Sequence, residues 1–96
     1  MKAAAGDVRP VNLRIEGRVQ GVGFRWYTRH RAAQLGVSGF VRNEDDGSVY
    51  IEAEADASTL ESFQQWCHRG PSSAVVERVL LESGPVKGFA GFTVAD

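Results

Sequence analysis

Val11-Asn12-Leu13-Arg14-Ile15-Glu16 is followed by Gly17-Arg18-Val19-Gln20-Gly21-Val22-Gly23 and then by the run Phe24 to Leu35, and across it the hydrophobic period changes once. Before Gly17, Val11, Leu13 and Ile15 alternate with Asn12, Arg14 and Glu16, the period of a half-buried strand. After Gly23 come good helix formers without proline, with Phe24, Tyr27, Thr28 and Leu35 at helical spacing and Gly36 as the stop. A strand is therefore expected to pass into a helix through a glycine-rich loop.

Downstream, Val37 to Asn43 and Ser48 to Ala55 flank Glu44-Asp45-Asp46-Gly47, and Asp-Gly between two apolar runs predicts a hairpin. In the second run Val49, Ile51 and Ala53 oppose Tyr50, Glu52 and Glu54, the pattern of a sheet with one face in water. A second helix is predicted from near Ser58, with Ser58 and Glu61 as a capping box and Leu60, Phe63, Trp66 and Cys67 as the buried stripe. Gly70-Pro71 ends it. Val75 to Leu81 reads as a strand and Phe89 to Val94 as a short last strand or edge. Upstream, Met1 to Arg9 is small and polar without period and reads as a disordered leader, which leaves 10–96 as the domain. The order βαββαβ predicts an α+β fold, a ferredoxin-like two-layer sandwich of an antiparallel sheet with two helices on one face. In that topology the first two strands run parallel with the third between them. The loop after Glu16 then lies about 10 Å from Asn43, two strand spacings away.

A chain of 96 residues with 43% apolar and 24% charged residues and a net charge of -1 forms one domain rather than two, and folds. No apolar run reaches the roughly 18 to 20 residues needed to cross a bilayer, and Met1 to Asp7 is not followed by the apolar stretch of a signal peptide, so a cytoplasmic location is expected. With one cysteine, Cys67, and only His30 and His68, neither an internal disulfide nor a zinc spacing is available. The charge is polarised: residues 1–42 carry eight Lys/Arg against two acids, the remainder three against ten. Arg9, Arg14, Arg18, Arg25, Arg29, Arg31 and Arg42 suit an anion, a phosphate or a nucleic acid backbone, and equally a solvated face whose stems cover apolar surface.

At the junction of loop and helix, unpaired N–H groups meet the positive end of the helix dipole, which is where anions bind. Gly17, Gly21 and Gly23 permit positive φ and close approach of a ligand, and Arg25 in the first turn offers a forked guanidinium for two phosphate oxygens. The same glycines would also serve a purely structural connection with Arg25 in solvent. No Gly-Lys-Ser/Thr follows the loop, and Gly21-Val22-Gly23 lacks the third glycine of a dinucleotide fingerprint. Nor is there a Ser-His-Asp or Cys-His set. His30 reads as surface, His68 as a helix-terminal cation and Cys67 as core. Trp26, Tyr27 and Trp66 are assigned to packing, with Trp26 or Tyr27 as the alternative wall of a substrate pocket.

Gly17-Arg18-Val19-Gln20-Gly21-Val22-Gly23-Phe24-Arg25 resembles the first signature of the acylphosphatases. The second is resembled by Gly36-Val37-Ser38-Gly39-Phe40-Val41-Arg42-Asn43 through Asp46-Gly47-Ser48-Val49. The resemblance covers nearly the whole chain and implies hydrolysis of the carboxyl-phosphate bond of small acyl phosphates, with no metal and no cofactor. It also implies that Arg25 binds the phosphate and that the amides of Arg18, Val19, Gln20, Gly21, Val22, Gly23, Phe24 and Arg25 form its cradle. Asn43 would then position the attacking water. Two positions depart from the pattern: Phe40 stands where many relatives have tryptophan, and Glu44 where a hydroxyl residue is common. The implied partner is a small acyl phosphate alone, with no nucleic acid or membrane, and a monomer is expected.

The alternative is a non-catalytic ferredoxin-like module binding an anion or RNA, since fold alone does not fix function. An RNA-binding version calls for paired aromatics on the open sheet face. Asn12, Arg14 and Glu16 on the first strand and Tyr50, Glu52 and Glu54 on the third make a poor stacking platform. A third possibility is the acylphosphatase-like piece of a larger carbamoyl-transfer enzyme.

Overall fold

The computed structural model describes residues 7–95. In chain order they form β1 (Arg9–Arg18), α1 (Phe24–Leu35), β2 (Ser38–Asn43), β3 (Val49–Ala55), α2 (Ala57–Arg69), β4 (Val75–Glu82) and β5 (Phe92–Val94). The strands make one sheet in the order β4-β1-β3-β2-β5. Neighbours pair antiparallel except β2 and β5, which run parallel from Gly39 opposite Phe92 to Val41 opposite Val94. The sheet is thus mixed, not wholly antiparallel, because the last strand adds outside β2 instead of closing a hairpin. The expected leader lies outside the described residues over 1–6. Pairing begins earlier than Val11, with Arg9 opposite Ala55.

Both helices cover one face. Leu13, Ile15, Val41, Val49, Ile51 and Ala53 from the sheet meet Phe24, Ala32, Leu60, Phe63 and Cys67 from the helices in one buried cluster. Burial of such side chains is the main favourable contribution to folding, about 1.5–3 kcal/mol for each large one. On α1 the buried positions are Phe24, Thr28 and Ala32, four residues apart, and the Thr28 hydroxyl donates to the Phe24 carbonyl at 2.7 Å. Tyr27 and Trp26, assigned to packing from their type, stand 46% and 54% exposed because they fall on the far side of that stripe. Trp66 does pack, its ring 5.6 Å from that of Phe24. The start of α2 also differs from expectation. Asp56, not Ser58, is the cap, with extended backbone and a carboxylate that accepts from the Thr59 N–H at 2.8 Å. A charged acceptor at the right position outcompetes a neutral hydroxyl two residues on.

The second face of the sheet is not left to water. Tyr50, Glu52 and Glu54 are all buried. Since β4 and β5 occupy opposite edges of the sheet, residues 83–91 must cross it, and they do so over this face. Gly84 lies against the Asn12 side chain, Lys87 reaches Glu52, and the Phe89 ring meets Phe40. Arg14 and Arg42 sit over the Tyr50 ring at 4.9 and 4.8 Å. The Tyr50 hydroxyl donates to Glu52 at 2.7 Å; burial first, and that carboxylate second, push its pKa up to about 12.

Candidate active site

The loop between β1 and α1 leaves the sheet beside the β2–β3 turn, because β3 separates two strands whose carboxyl ends face the same way. Gly21 and Gly23 take φ of +75° and +80°, left-handed values that glycine adopts at little cost. Gly23 is also the N-cap of α1. It has no side chain to accept from the first turn, that turn holds no acidic residue, and the first intrahelical bond runs from the Tyr27 N–H to the Gly23 carbonyl at 3.0 Å. The N–H groups of Phe24, Arg25 and Trp26 thus face outward at the positive end of the helix, uncompensated by any acid in the turn.

Against this terminus lies a cavity of about 350 Å³ lined by Val19, Gly21, Gly23, Phe24, Arg25, Trp26, Arg29, Asn43 and Val94. Arg25 and Asn43, 18 positions apart in the chain, therefore meet across one space. Arg25 is braced from behind, its Nη1 donating to the Ala95 carbonyl at 3.3 Å. The Asn43 carboxamide makes no hydrogen bond to a protein group among the described residues, so both its donor and its acceptor are open to a ligand or a water.

Three residues of the predicted cradle do not line the cavity with their atoms. Arg18 is exposed at the end of β1 opposite Val75. The Val22 carbonyl accepts from the Ser73 hydroxyl at 3.0 Å. Gln20 turns its side chain to the hairpin, where Nε2 donates to the Glu44 and Ser48 carbonyls at 2.7 and 2.9 Å. This amide ties the loop to the turn that carries Asn43. Glu44, the departure noted beside Asn43, bonds Arg42 Nε at 2.8 Å and Arg14 Nη1 at 3.2 Å. Its carboxyl is held below the usual range, chiefly by the Arg42 hydrogen bond. The turn is thus supported by ion pairs where a hydroxyl was expected.

Arg29 entered the sequence reading only as one of seven arginines suited to an anion, Val94 only as the end of the last strand, and Trp26 only as an alternative. Arg29 follows Arg25 at i+4, a spacing that does place two side chains on one helix face. Val94 gives no local signal, since only the parallel pairing of β5 with β2 brings it near. His30 is on the surface, stacked on Trp26 with ring centroids 5.5 Å apart, and Cys67 is fully buried, which raises its thiol pKa. Among the described residues no group of three or more His, Cys, Asp or Glu is placed to hold a metal ion. No helix among them is long and apolar enough to cross a membrane.

Comparison with known proteins agrees with this geometry. The acylphosphatase family model matches residues 11–94. An acylphosphatase from Synechococcus is 55% identical over 80 residues, covering 83% of this chain and 89% of its own. Among solved structures, an acylphosphatase from Coxiella burnetii superposes with a TM-score of 0.91 at 28% identity, covering 99% of this chain and 100% of that one. The acylphosphatase from Bacillus subtilis gives 0.87 at 31% identity, covering 93% and 99%. A family match across nearly every described residue, at the loop and hairpin that build the cavity, means that the chain belongs to the acylphosphatase family.

Proposed function

We propose that this protein is an acylphosphatase that cleaves the carboxyl-phosphate bond of small acyl phosphates, giving a carboxylate and inorganic phosphate. The observation that carries the reading is the meeting of Arg25 and Asn43 in one cavity at the uncapped start of α1. In this proposal the phosphate sits on the amides of residues 18–25 with Arg25 gripping two of its oxygens, and Asn43 holds a water in line with the leaving carboxylate. Residues 10–96 act as one catalytic domain, monomeric and cytoplasmic.

Phosphoryl transfer passes through a loose, metaphosphate-like transition state, so catalysis rests on positioning and charge stabilisation rather than on a protein nucleophile. The leaving carboxylate is the anion of a fairly strong acid and departs unprotonated, which removes the need for a general acid. Preorganised amides and one guanidinium suit the modest charge of a single phosphoryl group. Asn43 is no base; a phosphate oxygen of the substrate takes the proton of the attacking water. The alternative of an RNA-binding sheet gains nothing from the structure, since residues 83–91 cover the face it would use.

Hydrolysis of benzoyl phosphate, followed with and without excess chelator, tests the reading. Arg25→Ala is expected to lower kcat/KM at least 100-fold, because a bidentate charge-assisted grip is lost at about 1.5–3 kcal/mol per hydrogen bond. Asn43→Ala is expected to keep phosphate affinity and lose most of kcat. Near-native kcat in Asn43→Ala would remove the water-positioning role, and chelator-sensitive turnover would remove the metal-free mechanism.

A further inference from the structure

The link from β4 to β5 spans the width of the sheet, four strand spacings or about 19 Å. Nine residues, 83–91, cover that distance, and fully extended they would reach about 30 Å. Length alone therefore leaves this crossover slack, and something else must fix its path. Glu54 does so. Its carboxylate, 3% exposed at the middle of the sheet, spends both oxygens on crossover backbone. Oε2 accepts from the Lys87 N–H at 2.5 Å, and Oε1 accepts from Gly88 and Phe89 at 3.1 and 3.2 Å. A buried carboxylate is costly unless bonded in this way. The neighbouring Glu52 reaches the crossover only through the Lys87 side chain, at 2.8 Å, its other oxygen accepting from the Tyr50 hydroxyl.

Beyond Phe89 the chain leads straight to the active site. The Gly39 N–H donates to the Gly91 carbonyl at 2.9 Å, β5 runs beside β2, and Val94 forms part of the cavity wall. Ala95 is bonded through its N–H to the Val41 carbonyl at 2.8 Å, and its own carbonyl braces Arg25. We propose that Glu54 is a positioning residue for phosphate binding: by pinning the crossover it sets the placement of β5, and so of the carbonyl that aims the Arg25 guanidinium. This rests on the assignment of Arg25 to the phosphate made above.

Glu54→Gln puts an amide NH₂ where one carboxylate oxygen faced backbone N–H donors. The expected result is a 5- to 10-fold rise in both KM for benzoyl phosphate and the inhibition constant of inorganic phosphate, with kcat within twofold of wild type. Glu52→Gln, which weakens the bonds to the Lys87 side chain and the Tyr50 hydroxyl but touches no crossover backbone, is expected to leave both constants unchanged. Gly88→Val disturbs the crossover from the other side. Its φ is +75° with nothing within 4 Å of a new Cβ, so strain enters without a clash, and phosphate affinity is expected to fall as in Glu54→Gln. A purely structural role would lower the urea midpoint but leave phosphate affinity of the folded protein intact. That outcome in Glu54→Gln, or in Gly88→Val should Glu54→Gln not fold, overturns the proposal. Phosphate binding read by Trp26 fluorescence separates this from the enzymatic reading, because it needs no turnover: wild type that binds phosphate but hydrolyses nothing defeats the latter alone.

Discussion

Among single residues Gln20 has a role that its position in the loop did not announce. The sequence placed it in the cradle by its backbone, and the resemblance gave its side chain no task. In the structure its carboxamide donates to the Glu44 and Ser48 carbonyls of the turn after Asn43, which joins the β1–α1 loop to the hairpin that carries Asn43. Each such bond to a neutral carbonyl is worth about 1 kcal/mol. Under the proposed mechanism, Gln20→Ala is therefore expected to lower kcat about 10-fold while changing the inhibition constant of phosphate less than twofold, because it would leave the amides and Arg25 in place but loosen the hairpin that carries Asn43. Steady-state kinetics with benzoyl phosphate and competing phosphate measure both. A loss confined to phosphate affinity would place Gln20 in the cradle instead. Arg25 and Asn43 were legible because each lies in a short signature; Arg29 was visible only as one basic residue among seven and as a four-residue spacing from Arg25, and Val94 depends on a strand pairing that no neighbouring residue encodes.

At the scale of elements, β1, α1 and the β2–β3 hairpin were legible because each obeys a local rule of period, stop or turn. α2 was legible in its stripe but not in its cap, where two oxygen-bearing side chains competed and the earlier one won. The outer face of β3 was misread for a different reason. Alternating Tyr50, Glu52 and Glu54 look like solvent-facing residues, and only a long-range crossover converts them into buried anchors. The turn between β2 and β3 carries a testable electrostatic consequence. Glu44 bonds Arg42 and Arg14, and the Arg42 bond above all depresses its pKa below the ordinary 4.5. A carboxylate with a depressed folded pKa adds stability that is fully present above its unfolded pKa and is lost as pH falls through the folded value. Wild type and Glu44→Gln should accordingly differ in urea-unfolding free energy at pH 7, wild type being the more stable, and converge as pH falls below the ordinary glutamate value and through the depressed folded one. The gain stays modest, since the Arg42 and Glu44 side chains are 41% and 22% exposed and solvent screens the pair. A difference that persists unchanged at pH 3 would assign it to packing rather than charge.

For the molecule as a whole, the two faces of the sheet are held by different physics. The helix face is an apolar cluster that needs no polar partners, whereas the crossover face is a set of buried carboxylates, a phenol and cations that stabilise only while every partner is in place. The first should open last. Cys67 reports on it directly, being fully buried on α2 within the core cluster, with its thiol pKa raised by that burial. The thiolate is the reactive species, and neither it nor a reagent has access without separation of α2 from the sheet. Labelling by a thiol reagent at neutral pH is therefore expected to proceed only through global opening. Its rate should track the unfolding equilibrium across a urea series with a slope equal to the full unfolding slope. Glu54→Gln, which loosens the opposite face, should accelerate labelling only by as much as it lowers global stability. Rapid labelling of the native protein in the absence of urea, with secondary structure intact, would mean that α2 detaches on its own and that the inner cluster does not close the fold.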